Sequence, residues 1–214
     1  TGEVVSTPPS GDGTRELLEQ LLDYLGDEGT DPLVRMAAGH CAFETIHPFM
    51  DGNGRTGRVL NCAVLCGNGL LCEPILYMSG FLIENRREYY RQMRRLNEGR
   101  GTWGQWMILM FDCVKESSLA AMRMISDISD LYDSTCDACR GRPYYSKGMM
   151  DLLFSRVYCR IGDLEGAGLC ERNTASKYLK AMEADGILES EKVGRTLVFK
   201  NVRLMDILSR LYLQ

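Results

Sequence analysis

Apolar residues recur every three or four positions through most of the first 130 residues, which is the spacing of an amphipathic helix. The pattern predicts helices over 15–25, from Asp31 up to the segment before His47, over 84–96, and from Trp103 to about Leu131. Asp31-Pro32 is a favourable helix start, with Asp as the cap and Pro in the first helical position. Pro48 interrupts the pattern, so a loop between two helices is predicted there.

Residues 1–10 have a different pattern from the helices that follow. Val4 and Val5 favour an extended backbone, and Pro8 and Pro9 forbid a helix. An extended edge of this kind can pair with another extended peptide by strand addition. A frayed terminus is an equally good interpretation of the same residues.

The pattern changes again after about residue 132. Residues 133–143 are polar and rich in turn formers, which indicates a linker. The predicted elements beyond it are a helix over 149–158, a short helix from Ile161, a helix over 171–184, two β-prone runs on either side of Lys192–Arg195, and a helix over 202–213. This order is the plan of a winged helix-turn-helix. We therefore predict an N-terminal domain over 1–132, a linker over 133–143 and a winged-helix domain over 144–214.

Charge supports this division. The chain has 214 residues and a net charge of −4, which argues against indiscriminate nucleic-acid binding by the whole chain. Residues 1–140 hold 13 Lys and Arg against 20 Asp and Glu, a balance of −7, whereas residues 141–214 hold 12 against 9, a balance of +3. A change of sign near residue 140 is consistent with a domain boundary.

The remaining composition is that of an ordinary globular protein, with 45% hydrophobic and 25% charged residues. We expect a cytoplasmic protein, because no apolar run reaches the ~20 residues of a membrane span and no signal peptide is visible. Most of the nine cysteines lie in apolar surroundings and are predicted to be free thiols of a reducing compartment. Cys136 and Cys139 form one Cys-x-x-Cys, but a zinc site needs a second ligand pair and none stands nearby.

The candidate chemistry is concentrated in twelve residues, His47-Pro-Phe-Met-Asp-Gly-Asn-Gly-Arg-Thr-Gly-Arg58. A Gly-Asn-Gly turn can adopt positive φ values, so its backbone N–H groups can converge on an anion. An apolar helical pattern begins directly after the turn, and the N-terminus of a helix also attracts phosphate. Arg55 and Arg58 are three positions apart and share a helix face, so both can hold further phosphate oxygens.

Two other residues of this stretch add reactive groups. Asp51 is a hard oxygen ligand that could hold a Mg²⁺ ion bridging two phosphates. His47 can accept a proton near neutral pH. Its positive surroundings disfavour the imidazolium form, so we expect a neutral, competent base at pH 7. His40, on the helix before the loop, is predicted to be structural because nothing pairs it with a base or a metal.

The twelve residues match the signature His-x-Phe-x-[Asp/Glu]-Gly-Asn-Gly-Arg-x-x-Arg at every fixed position. The chain therefore resembles the Fic family, and specifically bacterial Fic proteins that carry a C-terminal winged-helix domain. The resemblance implies a mainly α fold, in which a helical bundle with an N-terminal extended flap precedes a small α+β winged-helix domain.

The resemblance also implies a function, which is transfer of AMP from ATP to a hydroxyl of a target protein with the help of Mg²⁺. Roles are carried over by motif position. The resemblance implies that His47 is the general base, that Asp51 is a Mg²⁺ ligand and that Phe49 anchors the loop in the core. It also implies that Gly52, Asn53 and Gly54 form an anion nest, and that Arg55 binds the β-phosphate and Arg58 the γ-phosphate. Other Fic proteins transfer UMP, phosphocholine or phosphate, but the intact signature favours ATP.

Two further regions carry the resemblance. Family members use a Tyr-Tyr-x-x-[Leu/Met]-x-x-x-Asn helix at the nucleotide pocket, and Tyr90, Met93 and Asn97 fall into that pattern. By helical spacing alone, Tyr90 and Met93 could equally be core residues. Gly2, Glu3, Val4 and Val5 would form the flap that docks the target strand by main-chain pairing.

A second functional hypothesis is a DNA-binding regulator in which the Fic part senses nucleotide. Lys and Arg residues of the C-terminal part could contact phosphates, but a balance of +3 is equally compatible with a protein partner or a homodimer. The [Ser/Thr]-x-x-x-Glu-[Gly/Asn] string that restrains many Fic proteins is absent from the sequence. A truncated N-terminus or a separate antitoxin would each explain this.

Overall fold

The computed structural model describes residues 12–210, which are mainly helical with one small three-stranded sheet, as the sequence predicts. The chain divides into two compact units with the boundary between Ala121 and Met122. The predicted flap, Gly2 to Val5, lies outside the described residues. Among residues 12–210, no helix combines the length and apolar character needed to cross a membrane.

The N-terminal unit is built from helices. They are α1 (Asp12–Leu25), α2 (Pro32–Ile46), α3 (Asn53–Gly67), α4 (Met78–Glu84), α5 (Arg86–Asn97) and α6 (Trp103–Cys139), whose second half belongs to the C-terminal unit. The break at Asn85 makes the predicted 84–96 helix begin at Arg86.

Helix α2 begins and ends as its sequence dictates. The Asp31 side chain accepts hydrogen bonds from the backbone N–H groups of Leu33 and Val34, and Pro32 occupies the first position. Pro48 disfavours a helical conformation for the residue before it, and the helix ends at Ile46 with His47 as its cap. The chain must turn here, and α3 begins six residues later at Asn53.

The core of the N-terminal unit lies where α2, α3 and α6 meet. Met36, Ala37, Trp106 and Met110 are almost completely buried, and the indole N–H of Trp106 donates to the carbonyl of Ala37 over 2.8 Å. A buried indole needs such a partner, because an unpaired donor in the core costs ~1–3 kcal/mol. This bond fixes α6 against the helix that carries His47.

The C-terminal unit follows the predicted order of elements after α6. They are α7 (Lys147–Ser155), β1 (Tyr158–Cys159), α8 (Ile161–Gly166), α9 (Arg172–Ala184), β2 (Glu189–Val193), β3 (Thr196–Lys200) and α10 (Val202–Ser209). The strands form an antiparallel sheet in the order β1-β3-β2, with Ser190 opposite Phe199. Phe199 and Leu179 are completely buried between the sheet and the helices.

Two helix ends in this region differ from the predicted ones. The linker over 133–143 is not an irregular segment, because α6 continues through residues 133–139 and ends at Cys139. The predicted 149–158 helix ends at Ser155, and Tyr158 belongs to β1, where it pairs with Lys200. The compact units also divide at Ala121, eleven residues before the predicted boundary.

Candidate active site

His47 occupies a strained position at the end of α2. Its φ of 50° lies in the left-handed region, which is uncommon for a residue other than glycine and costs ~1 kcal/mol or more. The conformation is held by a hydrogen bond from its backbone N–H to the carbonyl of Phe43, 2.9 Å long. The ring is exposed, and its Nδ1 lies 3.3 Å from the carbonyl oxygen of Glu44.

This second contact determines which ring nitrogen is available for chemistry. A carbonyl oxygen only accepts, so Nδ1 must carry the proton in this hydrogen bond. The lone pair of the neutral ring is then on Nε2. His47 is therefore presented as a base through Nε2.

Asn53 closes the loop that follows His47. Its Oδ1 accepts the backbone N–H of Phe49 over 2.9 Å, and its Nδ2 donates to the carbonyl of the same residue. Asn53 is 3% exposed, so its side chain serves the loop and is not directed to solvent. The prediction that Phe49 is anchored in the core is only partly correct, because its ring contacts Phe43 but is 49% exposed.

The turn into α3 requires a glycine at position 52. Gly52 caps the helix with a φ of 90°, and its N–H donates to Oδ1 of Asp51 over 2.7 Å. The other carboxylate oxygen of Asp51 forms an ion pair with Arg55, 3.2 Å long. The N–H groups of the first turn of α3 have no partners within the helix, and they are directed toward its N-terminal end, where the loop from His47 lies.

Gly54 and Gly57 lie within α3 and have helical backbones. These positions favour glycine because neighbouring side chains leave little room for a Cβ. A Cβ on Gly54 would lie 3.2 Å from Nη1 of Arg58 and 3.8 Å from Oε1 of Glu44. A Cβ on Gly57 would lie 2.7 Å from the same Glu44 oxygen and 3.2 Å from Cε1 of His40. Both glycines therefore allow side chains of α2 and α3 to approach the helix backbone closely.

One cavity of about 360 Å³ brings most of the predicted site residues together. It is lined by Glu44, His47, Met50, Asp51, Gly52, Asn53, Gly54, Arg55, Arg58, Tyr90 and Met93. The base, the carboxylate, the turn and both arginines of the sequence motif thus face one volume. The arrangement can receive an anionic ligand beside a proton acceptor.

The three residues predicted on α5 do not all reach this cavity. Tyr90 is 39% exposed and has the Arg86 guanidinium 5.6 Å from its ring centroid, while Met93 is a core residue that also lines the cavity. Asn97 lines a separate cavity, and its Oδ1 accepts from the Thr45 hydroxyl over 3.0 Å. The predicted contact of Asn97 with the nucleotide therefore has no support from this geometry.

His40 is structural, as its apolar helix indicates. It is 1% exposed, and its Nε2 lies 2.9 Å from the hydroxyl of Tyr89. Burial, together with a smaller effect of the nearby charge of Arg58, lowers the pKa of His40 to about 4. The ring is thus neutral at pH 7 and packs between Tyr89 and Trp106.

Sequence reasoning missed Glu44. Burial raises the pKa of its carboxyl group, while the charges of His47 and Arg58 act in the opposite direction. The sequence contained a feature that could have indicated this residue, because Glu44 is the one acidic residue of α2 and lies a single turn before His47. Gly57 was also missed, since the signature leaves its position unspecified.

Asp51 fits the chemistry of a magnesium ligand, but it can supply only one carboxylate. Mg²⁺ is commonly held by one or two carboxylates together with substrate phosphates and water. Asp51 offers one exposed carboxylate, already bonded to Gly52 and Arg55. Within residues 12–210 no group of three or more metal-ligating side chains exists, so phosphates and water would have to supply the other ligands.

Two family models match separate parts of the chain. The Fic/DOC family matches residues 1–65, which include the whole loop from His47 to Arg58. The C-terminal domain of SoFic-like protein adenylyltransferases matches residues 131–204. The chain therefore contains a Fic/DOC family domain followed by a SoFic-like C-terminal domain.

Individual relatives agree with this assignment. A protein adenylyltransferase of Caenorhabditis elegans is 36% identical over 96 residues, covering 44% of this chain and 18% of the relative. A probable protein adenylyltransferase of Aquifex aeolicus is 36% identical over 94 residues, covering 44% of this chain and 27% of the relative. The match thus spans less than a third of the length of each of these relatives.

The fold also has a counterpart among solved structures. A Fic family protein from Desulfovibrio desulfuricans G20 superimposes with a TM-score of 0.50 and 22% sequence identity, covering 91% of this chain and 56% of the other. This likeness supports the fold, and it includes both the helical part and the small α+β part.

Proposed function

We propose that this chain transfers AMP from ATP to a hydroxyl group of a target protein. The observation that carries the proposal is the placement of His47 in one cavity with Arg55, Arg58 and the start of α3. The names of the relatives, protein adenylyltransferases, support the same reaction class. Such a reaction needs a proton acceptor beside a phosphate-binding surface, and both are present in this cavity.

The proposed reaction is a displacement at the α-phosphorus of ATP. The hydroxyl oxygen of the target forms a bond to this phosphorus, the bond to the oxygen that bridges the α- and β-phosphates breaks, and pyrophosphate leaves. The hydroxyl proton passes to Nε2 of His47, which is free because Nδ1 donates to the carbonyl of Glu44. No covalent intermediate with the protein is required.

The phosphates would be held by the residues around the first turn of α3. The free N–H groups of this turn and the helix dipole favour a negative charge there, and Arg55 and Arg58 add two guanidinium groups. Mg²⁺, when bound by Asp51, would neutralise charge on the α- and β-phosphates. Asp51 also holds Arg55, which keeps this side chain near the turn.

The adenine would lie toward α5. Tyr90 presents a partly exposed ring at the cavity and Met93 an apolar surface, and both suit a flat base. The target strand would pair with the flap, Gly2 to Val5, by main-chain hydrogen bonds.

Labelled nucleotide distinguishes this reaction from phosphate transfer. The chain is incubated with a cell lysate, Mg²⁺ and ATP labelled at either the α- or the γ-phosphate. Label that enters protein only when the chain is added, and only from the α-labelled ATP, supports AMP transfer. Incorporation of the γ-label above that of the lysate without the chain would overturn the proposal in favour of phosphorylation.

A second candidate function, DNA binding by the C-terminal unit, has one observation in its favour. A cavity of about 550 Å³ beside the β2–β3 hairpin is lined by Arg160, Arg172 and Arg195, although Arg172 is paired with Glu165 at 3.3 Å. A gel shift of the full chain with duplex DNA, repeated with Arg160→Ala and Arg195→Ala, tests it. Absence of binding at low salt would end this hypothesis.

A further inference from the structure

Glu44 is a half-buried carboxylate with one buried oxygen, for which the fold alone gives no reason. Helix α2 is apolar, and Glu44 and Arg35 are its two charged residues. The Oε1 atom of Glu44 is buried and has no hydrogen-bond partner among residues 12–210. Burying an unpaired carboxylate is unfavourable, so its presence calls for a compensating role.

The charged groups facing Glu44 belong to the candidate site. Its Oε1 and the Nη1 atom of Arg58 flank the same point on Gly54, where a Cβ would lie 3.8 Å from one and 3.2 Å from the other. His47 follows one turn later on the chain, and all three side chains line the same cavity. His40 lies against the same point on Gly57 as Oε1 of Glu44 and contacts the Tyr89 hydroxyl, and both residues are buried.

Among residues 12–210 no ion pair within 4 Å joins Glu44 to Arg58, so their opposite charges attract each other across Gly54 over a longer distance. Because both side chains are half-buried, water screens this attraction less than it would on the open surface. An arginine side chain has several rotatable bonds and would otherwise sample many orientations in solvent. The Glu44 carboxylate favours the Arg58 orientations in which the guanidinium lies over the first turn of α3.

We propose that Glu44 is a positioning residue that holds the Arg58 guanidinium at the wall of the cavity, ready for the terminal phosphate of the nucleotide. The inference rests on the proposed function, because it assigns Arg58 to the γ-phosphate. In this role Glu44 acts on Arg58 and not on the reacting atoms. It acts by lowering the cost of ordering Arg58 when ATP binds.

The direction in which nucleotide affinity changes when Glu44 is replaced tests the proposal. Removing a negative charge from an anion site should strengthen binding if Glu44 acts only as a charge. Loss of a positioning residue should weaken binding, and only for a ligand that reaches Arg58. In a His47→Ala parent, which should bind ATP without turnover, we expect Glu44→Gln to weaken ATP about tenfold and to leave AMP unchanged.

Coupling to Arg58 gives the second readout. We expect Glu44→Gln to cause no further loss of ATP affinity once Arg58 is replaced by Ala, because the group being positioned is then absent. An equal loss for ATP and AMP, a stronger binding of ATP, or an undiminished loss in the Arg58→Ala background would each overturn the role of Glu44. Glu16→Gln on the exposed surface of α1 serves as the control and should change neither affinity.

Two measurements separate this proposal from folding and from the proposed function. Because burial raises the pKa of Glu44, its charge disfavours the native state at pH 7, and Glu44→Gln should not lower the thermal unfolding midpoint. A large drop in the midpoint would make Glu44 a structural residue instead. Failure of the His47→Ala parent to bind ATP would contradict the proposed function, whereas normal ATP binding without coupling would contradict the role of Glu44 alone.

Discussion

Gly57 and Glu44 approach so closely that a Cβ on Gly57 would lie 2.7 Å from Oε1 of the glutamate. Real Cβ atoms essentially never come this close to a neighbour, so no other residue fits without movement. His40, one turn earlier on α2, lies against the same glycine. Gly57 therefore leaves room on α3 for the side chains of Glu44 and His40 from α2.

Replacement of Gly57 by Ala should damage both stability and activity. The added methyl group must displace Glu44 or His40, and overpacking of this kind typically costs ~1–3 kcal/mol. Gly67→Ala is the matched control on the same helix, because its Cβ would meet nothing within 4 Å. A Gly to Ala change at an unstrained helical position stabilises by ~0.4–1 kcal/mol. Chemical denaturation of both variants checks the prediction, and equal effects at the two positions would contradict it.

Asn53 should matter through the loop rather than through direct contact with a ligand. Asn53→Ala leaves the N–H and the carbonyl of Phe49 without partners, which should cost ~1–3 kcal/mol and slow transfer strongly. Asn53→Asp keeps an acceptor for the N–H but places a carboxylate against the carbonyl. We expect both variants to show faster amide hydrogen exchange at Phe49. Unchanged exchange together with lost activity would instead assign Asn53 to the ligand.

His40 should make stability depend on pH. Burial lowers its pKa from 6.5 to about 4, so the unfolded chain binds this proton at a higher pH than the native state does. The stability that the neutral ring contributes is complete above pH 6.5 and is lost as the pH falls from there toward 4. From this shift the loss is about 3 kcal/mol at its limit.

Urea denaturation at several pH values between 7 and 4 measures this dependence. His40→Gln removes the titrating group while keeping an amide that can bond to Tyr89, so its curve should be flatter over this interval. Parallel curves for the two proteins would show that other groups cause the acid sensitivity.

Much of the fold could be predicted from local signals. Asp31-Pro32 marks the start of α2, Pro48 its end, and Gly194 the turn of the hairpin, because each imposes a backbone conformation by itself. The helical end of α6 could not be predicted in this way. Residues 133–137 have poor helix propensity, yet Leu131, Thr135 and Cys139 form a buried stripe at intervals of four. The Thr135 hydroxyl donates a hydrogen bond to the carbonyl of Leu131 over 2.7 Å.

The site shows the same division between local and tertiary information. The spacing from His47 to Arg58 indicates one phosphate-binding loop, and the structure brings its members into one cavity. The roles of Glu44 and Gly57 depend on how two helices approach each other, which no local pattern specifies. Asn97 shows the reverse case, because its place in a spacing pattern predicts a nucleotide contact, whereas in the structure it lines a cavity other than the one that His47 lines.

The central claim is that His47 accepts the hydroxyl proton in AMP transfer while other residues bind ATP. Its most direct test compares the wild-type chain with His47→Ala in two assays, incorporation of label from α-labelled ATP into protein and equilibrium binding of ATP. We predict that the variant binds ATP as the wild type does but transfers ~10²–10⁴-fold more slowly, the usual cost of losing a general base. Transfer by His47→Ala at the wild-type rate, with intact ATP binding, would contradict the account.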